Sequence, residues 1–153
     1  MGIDTKTHLV SKKVITPTDD MREKLMLGSD RRAIQIKRVR YGSTIPLVIE
    51  RSYLSFREYR RILNMEIPDS LYKILIEVFN VTLERSIQTL RAIELPDSDA
   101  ELMGVDAGFP AMFQESIIYD KDNIAVELLH SYYRGDKFIF SVESGKFSFT
   151  NIQ

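Results

Sequence analysis

The segment Arg31–Leu54, RRAIQIKRVRYGSTIPLVIERSYL, restricts the fold more than any other part of the chain. It reads as two strands joined by a short turn. Ile34, Ile36, Arg38 and Arg40 stand two residues apart, so a strand carries all four side chains on one face. An apolar face that ends in two arginines must meet the cost of burying guanidinium groups. Either the arginines are half-exposed and paired with a carboxylate across the sheet, or they face an anion that both share. Tyr41–Ile45 supplies a turn of three to five residues, with Gly42 as the position suited to a positive φ. A register centred on Ser43 sets Arg38 opposite Val48 and Ile36 opposite Glu50, which leaves Glu50 on the face of both arginines. A slip of one residue would turn Glu50 to the other face.

The remaining elements follow in order. Leu9–Thr16 has the β-branched character of a first strand, with His8 just before it as a surface residue. Thr16-Pro17-Thr18-Asp19 reads as a helix start: either threonine can cap, and Pro17 suits the first helical position. Met21, Leu25 and Met26 give this helix its apolar stripe, and Gly28 ends it after about ten residues. Phe56–Asn64 forms a second short helix with Phe56, Tyr59, Ile62 and Leu63 inward. A third begins near Pro68, capped by Asp69 or Ser70, and buries Leu71, Ile74, Leu75, Val78 and Phe79. The strict alternation of Val81–Leu95 predicts a half-buried strand. Ser98 and Glu101 form a capping box for a single-turn helix ending near Gly104. Phe113–Asp120 and Ile124–Tyr133 make a second hairpin around Lys121-Asp122-Asn123, and Lys137–Val142 a last strand.

A weak internal repeat ties these pieces together. Leu25-Met26-Leu27-Gly28 before the first hairpin resembles Leu102-Met103-Gly104 before the second, and Glu50-Arg51-Ser52-Tyr53 is echoed by Glu127 and Ser131-Tyr132. Two such halves predict one antiparallel sheet built from two hairpins about a pseudo-two-fold axis, covered by short helices.

Composition narrows the function. At 153 residues the chain has the size of one domain. Lys+Arg of 21 against Asp+Glu of 22 leaves no basic excess of the kind that grips nucleic acid. Without cysteine there can be no disulfide, zinc thiolate, iron–sulfur cluster or thiol nucleophile, and a reducing cytoplasm is the expected compartment. The two histidines, His8 and His130, are too far apart in sequence to suggest a metal centre. No cofactor is called for. No apolar run is long enough to span a membrane, and the phosphate-loop, dinucleotide, nucleophile-elbow and zinc-protease motifs are missing. The residues left as candidates are Arg38, Arg40, Glu50, Ser70, Tyr72, Glu127 and Tyr133. Two arginines and a helix N-terminus suit an anion, while two glutamates and a tyrosine suit hydroxyls or an amine. That set describes a ligand site more naturally than a catalytic one.

The runs IKRVRYGSTIPLVIERSYL, DSLY, AELMGV, YDKDNIAVE and YYRGDKFIF, in this order and spacing, resemble the effector-binding (UTRA) domain of GntR-family transcription regulators of the HutC subfamily. The resemblance spans nearly the whole chain. It implies an α+β, chorismate-lyase-like fold, a homodimer, and a preceding winged helix domain that binds an operator. It also implies that Arg38, Arg40, Ser70 and Tyr72 hold the anionic group of a sugar-phosphate effector. Glu50, Glu127 and Tyr133 complete the site, and Arg134 with Asp136 forms a structural ion pair. No winged helix occurs in this sequence, so the chain by itself is expected not to bind DNA. A chorismate-lyase-like enzyme acting on a small carboxylate is the alternative the fold would also host, although the expected role is not enzymatic.

Overall fold

The computed structural model describes residues 5–143. In chain order the elements are β1 (Thr5–Ile15), α1 (Asp19–Lys24), β2 (Ala33–Gly42), β3 (Ile45–Ser55) and α2 (Phe56–Tyr59), which continues as a 3-10 turn, Arg60–Asn64. Then come α3 (Leu71–Glu77), β4 (Leu83–Glu94), α4 (Asp97–Met103), β5 (Pro110–Asp120) and β6 (Ala125–Arg134). The strands form one six-stranded antiparallel sheet in the order β1-β2-β3-β6-β5-β4. Each half runs strand, helix, hairpin, and the halves meet where β3 pairs with β6. This is the expected α+β fold: an antiparallel sheet with short helices on it and the two hairpins side by side.

Strand alternation divides the core between two faces. On one, α2, the 3-10 turn and α3 bury Tyr59, Ile62, Leu71, Ile74 and Leu75 against Ile34, Ile36 and Leu54. A fully buried aliphatic side chain contributes roughly 1.5–3 kcal/mol, so this layer anchors α3 firmly. On the other face α4 packs Ala100 and Met103 over Val39 and Ile49. The residues following α1 pack Leu25 and Leu27 over Ala33, Tyr53 and Leu128. None of the helices described is long and apolar enough to cross a membrane.

Several local expectations are corrected. In the first hairpin the positive φ falls on Ser43, at 55°, rather than on Gly42. A bulge between Arg40 and Tyr41, where β3 carries one extra residue, resets the ladder so that Arg38 lies opposite Glu50 and Arg40 opposite Val48. The register differs from expectation by two residues, so Glu50 keeps its face. Helix α1 has only six residues. Thr18 is its cap, Pro17 precedes the cap, and Met26 takes a left-handed conformation before Gly28 does. The capping box at Ser98 does not form: Pro96 occupies the cap position, Ser98 lies inside the first turn, and Gly104 ends the helix as expected. Strand β4 is exposed on both faces except at Leu83 and Ile93, because it is an outermost strand. Lys137–Val142 is not a strand. Both edges of β6 are already taken by β3 and β5, so the segment cannot fold back to pair beside the strand it follows, and Phe138 and Phe140 pack instead on Tyr133.

Candidate functional site

The centre of the sheet is the pair Ser52 and Leu129, directly opposed on β3 and β6. Glu50 and Glu127 each lie two residues from this pair, so both project from the same face. That face also carries Arg38 and Arg40 from β2, and the start of α3 comes down over it. Together they enclose a cavity of about 290 Å³. Of the side chains expected at a site, Arg38, Arg40, Glu50, Ser70, Tyr72 and Glu127 line it. Tyr133 does not. Its hydroxyl donates to Oε1 of Gln114 at 3.0 Å, and Gln114 lines an adjoining groove that shares Tyr72 and Leu129 with the first.

Glu50 organises the arginines. Its Oε1 is 2.7 Å from Arg40 Nη2, and its Oε2 is 3.8 Å from Arg38 Nη2. Arg38 also donates through Nη1 to the Asp69 carbonyl at 3.1 Å, which ties the guanidinium to the entry of α3. Arg38 is buried and Arg40 is half-open, with its side chain 42% exposed, so the pair runs from the floor of the cavity to its mouth. The Nε atoms of both arginines are buried without hydrogen-bond partners. Two donors are therefore still unspent in a place where an unsatisfied group is costly. Ser70 is extended and precedes α3 without capping it by its side chain, which leaves the hydroxyl uncommitted.

Glu127 is the opposite case. It is fully buried, and its Oε1 has no partner, as is also true of Ser52 Oγ beside it. Burial pushes its carboxyl up to about 7. The Ser52 and Tyr72 hydroxyls and the Arg38 charge pull part of the way back, and Glu50 adds to the rise. Burial likewise raises the Tyr72 phenol, reinforced by Glu127 and Glu50. Arg134 and Asp136 form the expected ion pair, at 2.8 Å, on the turn after β6.

A second polar arrangement on the opposite face was not legible in the sequence. Lys37, Arg51, His130 and Glu115 are successive cross-strand partners on β2, β3, β6 and β5. Helix α4 lowers Asp99, with no exposed surface, onto one end of this row. Its carboxylate accepts from Arg51 Nη1 at 2.9 Å and Nη2 at 2.6 Å, with Lys37 Nζ at 3.3 Å. Burial raises the Asp99 carboxyl, but Arg51 and Lys37 outweigh it and hold the group below the ordinary carboxylate range. At the other end Glu115 bridges His130 Nε2 at 2.9 Å and Lys24 of α1 at 2.7 Å. The row lies directly behind the cavity, since Lys37 precedes Arg38 and Arg51 follows Glu50. The only hint in the sequence was the alternation that places Lys37 and Arg51 away from the arginine face. Nothing near Asp99 distinguished it from a surface residue of a capped helix.

The sequence model of the UTRA domain matches residues 1–139. The transcriptional repressor NagR of Bacillus subtilis is 24% identical over 139 residues, covering 91% of this chain and 57% of NagR. The chain thus spans little more than half the length of that relative. The crystal structure of the effector domain of PhnF from Mycobacterium smegmatis has a TM-score of 0.85 at 21% identity, over 95% of this chain and 90% of that one. A GntR-family transcriptional regulator from Enterococcus faecalis V583 has a TM-score of 0.81 at 24% identity, over 91% of this chain and all of the other. The match of the UTRA model over residues 1–139, on this sheet and in a chain with these relatives, leads to one conclusion: the chain belongs to the UTRA domain family, the effector-binding domain of GntR-family transcription regulators.

Proposed function

We propose that this domain senses a small anionic metabolite, with a sugar phosphate as the leading class, in a cytoplasmic regulator of the HutC subfamily. It acts as a sensor rather than an enzyme. The observation that carries the reading is the pair Arg38 and Arg40, held by Glu50 and the Asp69 carbonyl, with a buried unspent donor on each. Guanidinium groups fixed in this way suit phosphate or carboxylate oxygens. Glu127 and Tyr72, further along the cavity, suit the hydroxyls of a sugar. At about 290 Å³ the cavity lies near the lower end for small-molecule sites, which favours a ligand of one ring. Tyr133 contributes by fixing Gln114 rather than by touching the ligand.

In the whole protein the domain would pair as a homodimer and carry a tethered winged helix domain that binds the operator. Ligand would favour one arrangement of the dimer, which requires different affinities for the two arrangements and not tight binding alone. Thermal unfolding against a panel of phosphorylated sugars tests the site. A ligand at a hundredfold excess over its Kd should add about 2.7 kcal/mol of stability, and Arg38→Ala should abolish the shift. Equal shifts in Arg38→Ala and the unsubstituted chain, or no response to any anion, would refute the assignment.

A further inference from the structure

We propose that Glu127 is a proton-linked gate of this cavity: a dianionic ligand enters together with one proton, which Glu127 takes up. The inference rests on the anion-site reading above and adds to it a dependence on pH.

Its basis is the unequal treatment of two related glutamates. Glu50 stands opposite Arg38 on the neighbouring strand and binds both arginines. Glu127, its counterpart in the repeat, stands opposite Ile118. Among the described residues Glu127 makes no ion pair, and its Oε1 is buried without a partner. The charged and titratable groups that face it are Arg38 on β2, Glu50 on β3 and Tyr72 on α3. Strand β5 offers only Ile118, directly opposite, and Ser116 from the adjoining row. With both carboxylates ionised, the two arginines and two glutamates sum to zero charge before ligand arrives. A dianion then adds negative charge and acceptor oxygens to a wall that already holds an ionised, unpartnered acceptor. A proton on Glu127 removes one of these charges and turns the acceptor into an O–H donor. Its carboxyl, already raised by burial to about 7, is poised for that exchange near neutral pH. Ligand affinity must then rise as pH falls, because binding that takes up a proton is favoured by protons.

The test uses sulfate, which stays a dianion across the range and has no titration of its own to confuse the result. Calorimetric titrations in two buffers of different ionisation enthalpy count protons taken up, and the carbon-13 shift of the Glu127 carboxyl follows its titration with and without sulfate. The expected result is uptake approaching one proton and an upward shift of the Glu127 midpoint. Sulfate affinity should increase by up to about tenfold for each unit of pH lowered above that midpoint. Glu127→Gln, a neutral variant of the same shape, should bind sulfate with less than about twofold change over the same range. Binding without proton uptake, or the same pH profile in Glu127→Gln, overturns the gate and leaves the anion site standing. No sulfate binding at any pH, together with no response to phosphorylated sugars, overturns the site and the gate with it.

Discussion

Replacing Asp99 by Asn should destabilise the domain more than any single change at the ligand cavity. Asp99 is completely buried and balances two cations, Arg51 through a two-pronged contact at 2.9 and 2.6 Å and Lys37 at 3.3 Å. The side chains of Arg51 and Lys37 are only 15% and 16% exposed, so neither can recover its hydration once the carboxylate is neutral. Breaking a buried pair from one side costs about 3–5 kcal/mol, and partial solvent contact argues for the lower end, about 3 kcal/mol. For a domain of this size that corresponds to a fall in Tm of roughly 6–12 °C. The assay is urea and thermal unfolding followed by circular dichroism at pH 7. Asp99 has a carboxyl lowered by folding, so its stabilisation is present above the ordinary Asp value of 3.8 and is lost as pH falls through the folded value. The gap between the two proteins should therefore narrow in acid. A triple variant, Asp99→Leu with Arg51→Met and Lys37→Met, should regain most of the lost stability, because removing all three charges leaves nothing unpaired. A loss below about 1 kcal/mol in Asp99→Asn, the size of an exposed surface pair, would refute the reasoning. So would a gap that persists unchanged into acid.

Other consequences are accessible to the same methods. Folding raises the Glu127 carboxyl from 4.5 to about 7, which destabilises the folded chain above that pH and has no effect below the unfolded value. Glu127→Gln should accordingly be more stable than the unsubstituted chain at pH 8, by up to about 3 kcal/mol, with the difference gone below pH 4.5 in urea titrations. Ser43 bears a left-handed φ of 55° in the first hairpin, so Ser43→Gly should leave stability unchanged or raise it by up to about 1 kcal/mol, while Ser43→Val should lower Tm. Tyr133→Phe removes one hydrogen bond to Gln114. It should cost about 0.5–1.5 kcal/mol and leave sulfate affinity unchanged; a loss of binding comparable to that of Arg38→Ala would return Tyr133 to the cavity wall.

The arrangement of the hairpins was readable from Ile34, Ile36, Arg38 and Arg40 because period 2 is a local property, and from the Asp120–Asn123 turn because its backbone chemistry is local too. Asp120 Oδ1 accepts from the backbone N–H of Asp122 and Ile124, and Asn123 supplies the positive φ. What failed depended on neighbours distant in sequence. The exposure of β4 follows from being outermost, and its alternation of Leu83, Ile87 and Ile93 is indistinguishable from that of a strand with one face covered. Lys137–Val142 has strand-forming residues, but the strand it follows, β6, has both edges paired. Asp99 has the signature of a helix start, and only the docking of α4 over β2 and β3 reveals its two cations.

The repeat accounts for the character of the cavity as well as the shape of the sheet. Its two glutamates converge because they flank the central pair Ser52 and Leu129, where β3 and β6 meet. Two equivalent halves would have given each glutamate an arginine on the adjacent strand, and the result would have been two satisfied ion pairs with little reason to bind anything. Instead β2 carries Arg38 where β5 carries Ile118, and α2 through α3 lie between the halves in sequence and cover one side of that face. The first half thus contributes fixed positive charge and the second a carboxylate with no cation of its own. Restoring the missing partner is the decisive perturbation. Ile118→Arg should pair with Glu127 and pull its carboxyl back toward the ordinary range. Because the added cation also attracts anions, sulfate affinity should rise while its dependence on pH disappears. A variant that binds more tightly yet keeps the original pH profile would show that Glu127 does not carry the proton.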